Sequence, residues 1–86
     1  MKLTMTAGTA RHLTYLQQDW TDDARGLSTA LFAGHDATVQ LERDGGFYLY
    51  YLGFTTERFD AVTDAKQAAP MFARAVLAHL ASLIVD

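Results

Sequence analysis

The middle of the chain alternates with period two. In "ATVQLE", Ala37, Val39 and Leu41 fall on one side of an extended segment, with Thr38, Gln40 and Glu42 on the other. "LSTALFA" before it, closed by Gly34, and "FYLYYLG" after it read as two further strands. Three consecutive strands joined by short turns predict an antiparallel meander. Near the start, "KLTMT" also alternates, with Leu3 and Met5 between polar neighbours, and reads as a short strand. The period then changes. Leu13, Leu16 and Trp20 recur at helical spacing behind Thr9, a residue type that caps helices, so a helix is predicted from about Ala10 to Gln18. "DWTDDARG" follows as an acidic loop.

The last third of the chain is helical by the same criterion. Asp60 is placed to cap a segment beginning "AVTDAKQAA", with Asp64 near the positive end of the helix dipole. Pro70 has no N–H to offer residue 66, so a kink or a break is expected there, with Pro70 opening a new helix. From Met71 to Val85, Phe72, Val76, Leu77, Leu80, Leu83 and Ile84 share a stripe of roughly 140°, wider than one buried face requires. The expected core joins Val39 and Leu41 to Phe72, Val76, Leu80 and Leu83. Leu77 and Ile84, at the edge of the stripe, need further cover from the first helix or from a second copy, and mark the contact of an expected homodimer. The fold class is therefore α+β in one domain spanning 1–86. It consists of an N-terminal helix, a three-stranded antiparallel meander, and a long C-terminal helix broken or kinked near Pro70 and packed on the sheet.

The register of the last hairpin decides which aromatics are exposed. A two-residue loop at Asp44-Gly45 or Gly45-Gly46 puts Tyr48, Tyr50 and Leu52 on the Val39 face. A three-residue loop with a glycine bulge puts Phe47, Leu49 and Tyr51 there instead, because a slip of one residue flips every side chain. The second register buries the side chains with fewest polar atoms and leaves Tyr48 and Tyr50 beside Gln40 and Glu42; it is preferred. The remaining alternative is that both faces are covered.

Composition narrows the function classes. Half of the 86 residues are hydrophobic and none is cysteine, so a core is available while disulfides and thiolate metal sites are not. No signal peptide is evident, and "AVLAHLASLIV" is too short to span a bilayer, so a soluble, cytoplasmic protein is expected. The net charge is −3, and no two of the seven basic residues adjoin, which disfavours direct nucleic-acid binding.

The usual chemistries find no constellation. Ser28 and Ser82 lack a glycine-flanked elbow, and Ser82 follows His79 by a helical turn without an orienting acid. His12, His35 and His79 are isolated from one another, with no metal-ligand spacing. Asp19, Asp22 and Asp23 do not alternate as a calcium loop requires, so they read as a solvated acidic loop and as a contact for a basic partner. "DGG" leads into no helix and makes no phosphate cradle. No enzyme activity and no cofactor are expected.

Three resemblances bear on function. The order helix, three strands, helix resembles the double-stranded-RNA-binding fold, and "TDAKQAAPMFARAVLAHL" looks like its closing helix. Ala65 and Lys66 fit that pattern; Val62 and Thr63 stand where its two leading lysines belong, which removes the phosphate contacts. "LERDGGFYLYYLGFTTERFDAVTDAKQAA" resembles small antitoxin domains of the HicB type. Its "FDxxxDAKxAA" helix opening is similar to small phage and prophage proteins of the anti-CRISPR kind. That resemblance implies a compact, non-enzymatic inhibitor that binds a CRISPR effector complex and blocks target DNA or nuclease recruitment. The expected partner is thus a protein or ribonucleoprotein complex with a basic surface, met by Asp19, Asp22, Asp23, Glu42, Tyr48 and Tyr50. A HicB-like antitoxin or a structural, oligomeric phage protein is the alternative.

Overall fold

The structure is a computed structural model that describes residues 2–6 and 11–86. Five strands, β1 (Thr21–Asp22), β2 (Leu27–Phe32), β3 (His35–Leu41), β4 (Phe47–Tyr51) and β5 (Phe54–Thr55), form one antiparallel sheet in sequence order. A single helix, α1 (Val62–Ser82), follows and packs across β3 and β4. The expected architecture is corrected on three points: the number of strands, the N-terminal helix, and the break with a new helix at Pro70, which lies inside the single helix α1. The meander has five strands rather than three, because a two-residue strand flanks the three long ones on each side. Two residues carry no periodicity from which to read a strand.

The second correction is the N-terminal helix, which is not present among the described residues. Arg11–Thr14 makes one 3-10 turn, and the chain then continues through bends, with no regular element, to Trp20. Leu13 and Leu16, two of the three residues that suggested a helical face, are exposed. Trp20 packs on Phe32 at the sheet margin, with ring centroids 5.9 Å apart. The Gln18 N–H donates to the Leu31 carbonyl, so this segment lines the edge of β2 instead of closing on itself. Thr9 and Ala10, the expected start of that helix, lie outside the described residues. Lys2–Thr6 forms no strand, and Leu3 and Met5 are exposed.

The central register follows the three-residue loop. Val39 faces Leu49, Ala37 faces Tyr51 and Leu41 faces Phe47. The loop closes with the Gly45 N–H donating to the Glu42 carbonyl and the Glu42 N–H to the Gly46 carbonyl. Gly45 takes φ +80°, the left-handed position that a bulged hairpin of this length demands. Val39 and Leu49 are fully buried, and Ala30, Phe32, Ala37 and Tyr51 complete the sheet's contribution to the core.

The helix meets this face through small side chains. Ala65, Ala69 and Ala73, at four-residue spacing, are buried with Val76, while Val62, Phe72, Leu77 and Leu80 pack around them. Alanines let the helix axis lie close to the strands. Contact with the sheet on both sides of Pro70 explains why α1 runs through it unbroken, although an interior proline costs about 3 kcal/mol.

Two expected core residues are corrected as well. Leu41 is 51% exposed and Leu83 is 63% exposed. A helix of 21 residues extends roughly 30 Å, whereas a strand of five to seven residues extends roughly 16–24 Å, so the helix overhangs the sheet. Leu83 caps the overhanging end, and Ile84 beyond it is 80% exposed. Leu41 is the final residue of β3, at the sheet's other end.

Candidate functional site: the open face and the hairpin tip

Among the described residues no second helix covers the other face of the sheet, which is open in that sense. Strand alternation places Leu27, Thr29 and Leu31, then Thr38 and Gln40, then Tyr48 and Tyr50 on that face, all half-buried. Cross-strand pairs fix the rows: Leu27, Gln40 and Tyr48 lie abreast, as do Thr29, Thr38 and Tyr50. At the β3–β4 hairpin this face dips into a hollow of about 380 Å³, lined by Glu42, Arg43, Asp44, Tyr48 and Tyr50.

Each tyrosine hydroxyl in the hollow is tied to a carboxylate. Tyr50 donates to Glu42 Oε1 at 2.6 Å, and Tyr48 donates to Asp44 Oδ2 at 2.5 Å. These bonds hold both phenols above their ordinary pKa, since each would lose its acceptor and face a like charge on ionising. Asp44 is held below the usual carboxylate range, first by the Tyr48 hydroxyl and then by the Gly46 N–H, 2.8 Å from Oδ1. Arg58 lies 3.9 Å from Asp44 Oδ2 and 3.4 Å from Asp60 Oδ1. Its side chain crosses directly over Gly46, where an added Cβ would collide with Arg58 Nε. The tip is thus braced from below.

The expected contact residues separate into two groups. Glu42, Tyr48 and Tyr50 come together in the hollow. Asp22 and Asp23 lie at the same end of the sheet but are occupied. Asp22 accepts from the buried Ser28 hydroxyl and pairs with Lys66 Nζ at 3.2 Å, and both contacts lower its pKa. Lys66 in turn lies 5.5 Å from the centre of the Trp20 ring, so this pair joins the β1 edge to α1. Asp23 Oδ1 accepts the Leu27 and Arg25 N–H groups, which close the β1–β2 turn and lower the Asp23 pKa. Asp19 is exposed and precedes β1. Leu77, read as a dimer residue, packs against the core of its own chain; Ile84 lies past the helix end.

Charge is distributed unevenly. Asp22, Asp23, Glu42, Asp44, Glu57, Asp60 and Asp64 share the hairpin half of the molecule with Arg25, Arg43, Arg58 and Lys66, while the chain's remaining acids and bases balance. These seven acids and four bases together leave three negative charges in excess at that half. Sequence reasoning overlooked Asp44 and Arg58. The signal for Asp44 was its four-residue separation from Tyr48 across a three-residue loop; Arg58 had none, since its position depends on the strand pairing of Phe59 with Phe47.

Among the described residues no three His, Asp or Glu side chains converge as metal ligands would, and no helix is long and apolar enough to cross a membrane. Comparison with protein-family models, with curated proteins and with solved structures finds no match.

Proposed function

We propose that the protein is a non-enzymatic binding module that covers a basic surface of a protein or ribonucleoprotein partner with the open face around Glu42, Tyr48 and Tyr50. The observation that carries this reading is the coupling of half-buried tyrosine side chains to carboxylates on the open sheet face at the acidic half of the molecule. Tyrosines supply rigid contact area at small entropic cost, and the surrounding negative charge steers a positive surface toward them. The similarity of the helix opening to small phage inhibitors gives the specific form. In that form the partner is a CRISPR effector complex, and the covered surface is one that holds target DNA or recruits the nuclease.

Purified effector complexes of several CRISPR types, each presented with its labelled target DNA, test this directly. Dose-dependent loss of DNA binding or cleavage, relieved by joint replacement of Tyr48 and Tyr50 with alanine, supports the reading. Unchanged DNA binding and cleavage in every complex overturns the specific form. Inhibition that survives the double replacement moves the contact away from this face.

A further inference from the structure

The open face has a local chemistry more selective than net charge. Both tyrosine hydroxyls spend their single proton on the carboxylates beside them, so neither has a proton left to donate, and the Tyr50 oxygen also accepts from the Thr55 hydroxyl. Asp44 is already matched by Arg58, the Tyr48 hydroxyl and the Gly46 N–H. Glu42 is not: its sole side-chain partner among the described residues is Tyr50, it forms no ion pair, and it is half-buried at the wall of the hollow. The hollow therefore offers one uncompensated carboxylate, several acceptors and two aromatic rings. Arg43 is the cationic side chain that lines the hollow, and among the described residues it forms no ion pair with either acid.

We propose that this hollow receives the guanidinium of an arginine side chain on the partner, paired with Glu42 and lying against the rings of Tyr48 and Tyr50. The inference rests on the binding reading above and names the group that the face recognises. Tyr48 and Tyr50 stand two apart on one face of β4, about 6.7 Å along the strand, so one flat group can touch both side chains. A guanidinium is flat, weakly hydrated and donor-rich, whereas an ammonium is compact, strongly hydrated and cannot stack. A hollow walled by the Glu42 and Asp44 carboxylates also disfavours phosphates and carboxylates. The neighbouring negative residues raise the rate of encounter, and the hollow sets the choice between arginine and lysine.

The test uses the unmodified protein and three blocked pentapeptides that differ only at the centre: arginine, lysine or citrulline between paired glycines. Proton NMR of the tyrosine rings reads binding. The arginine peptide is expected to shift the Tyr48 and Tyr50 signals saturably, with affinity about fivefold or more above the lysine peptide. Citrulline, flat but uncharged, is expected to produce no saturable shift. Glu42→Gln, which keeps the side-chain shape, should weaken the arginine peptide about tenfold. Removing Arg43 by Arg43→Ala should strengthen it. Equal affinity for arginine and lysine overturns the inference while leaving a basic-surface module in place, as does unchanged binding to a folded Glu42→Gln protein. Conversely, arginine selectivity in a protein that inhibits no effector complex would retain the hollow's chemistry and remove the specific function. Because the peptide series needs no variant, a Glu42→Gln protein that fails to fold still leaves the comparison decisive.

Discussion

Tyr51 lies beneath α1 with its hydroxyl donating to the Phe32 carbonyl at 2.5 Å and its ring edge-on to that of Phe32. Tyr50, the residue before it, stands on the opposite face and donates to Glu42. Both hydroxyls are satisfied and both phenols are held above their ordinary pKa, yet for different reasons. Burial raises Tyr51, while a neighbouring carboxylate raises Tyr50. The pair shows that residue type did not assign these side chains to core or surface; the hairpin loop did, by fixing the register.

Replacing the two in turn is the sharpest way to break the comparison. Tyr51→Ala is expected to cost about 3–5 kcal/mol in chemical denaturation, a large part of a small domain's total stability. Tyr50→Ala should cost about 1 kcal/mol or less, because its ring is only half-buried and its loss leaves Glu42 in water. Similar losses for both would mean that the open face is covered. Between these extremes, Ala69→Leu inserts volume where the helix lies against the strands and should cost about 1–3 kcal/mol. An unchanged midpoint would show that the helix can lift off without penalty.

Acid and alkali probe the two faces through their ionisable groups. Asp22, Asp23 and Asp44 are held below the ordinary carboxylate value of 3.8 in the folded chain by the hydrogen bonds they accept. Each therefore binds protons more readily when unfolded, so its contribution is intact above that pH and disappears as the pH falls through the folded value. Asp22→Asn should lower the melting temperature near neutrality and flatten its fall in acid. The three raised tyrosines act in the opposite sense: their contribution is complete below pH 10.0 and declines as the pH rises above it. Tyr48→Phe with Tyr50→Phe should reduce the alkaline decline but leave the part due to Tyr51. Charge reversal of Asp22 and Asp23 is expected to lower the melting temperature, since both hold backbone or helix contacts as well as contributing negative charge.

The legible parts of the fold were those where one physical effect dominated. Burial of the least polar side chains, with Gly45 available for a bulge, was enough to select the register of β3 against β4. It also placed Glu42, Tyr48 and Tyr50 together. The helix was legible as an element, and Val76 with Phe72 and Leu80 around it as part of its buried side, but the three alanines at its centre were not. Leucines and phenylalanine drew attention to the far end, whereas close approach to the sheet selects Ala65, Ala69 and Ala73, whose weak hydrophobicity gives little signal. At the N-terminus the spacing of Leu13, Leu16 and Trp20 fits a helix, but pairing with the exposed edge of β2 competes with it, and only Trp20 reaches the core. The internal partners of Asp22 and Asp23 depend on residues six and 44 positions away, and on a turn closed by their own backbone.

The short outer strands have a consequence for crowded solution. An open sheet normally invites growth, since a bare edge is a template for another chain. Here β1 and β5 each present two residues, and beyond them the long strands are already bonded to irregular chain: Gln18 and Asp23 along β2, Thr56 and Phe59 along β4. An incoming strand would find too few consecutive rungs to nucleate a ladder. The molecule can therefore leave one face of its sheet wet without becoming a seed for fibres of itself.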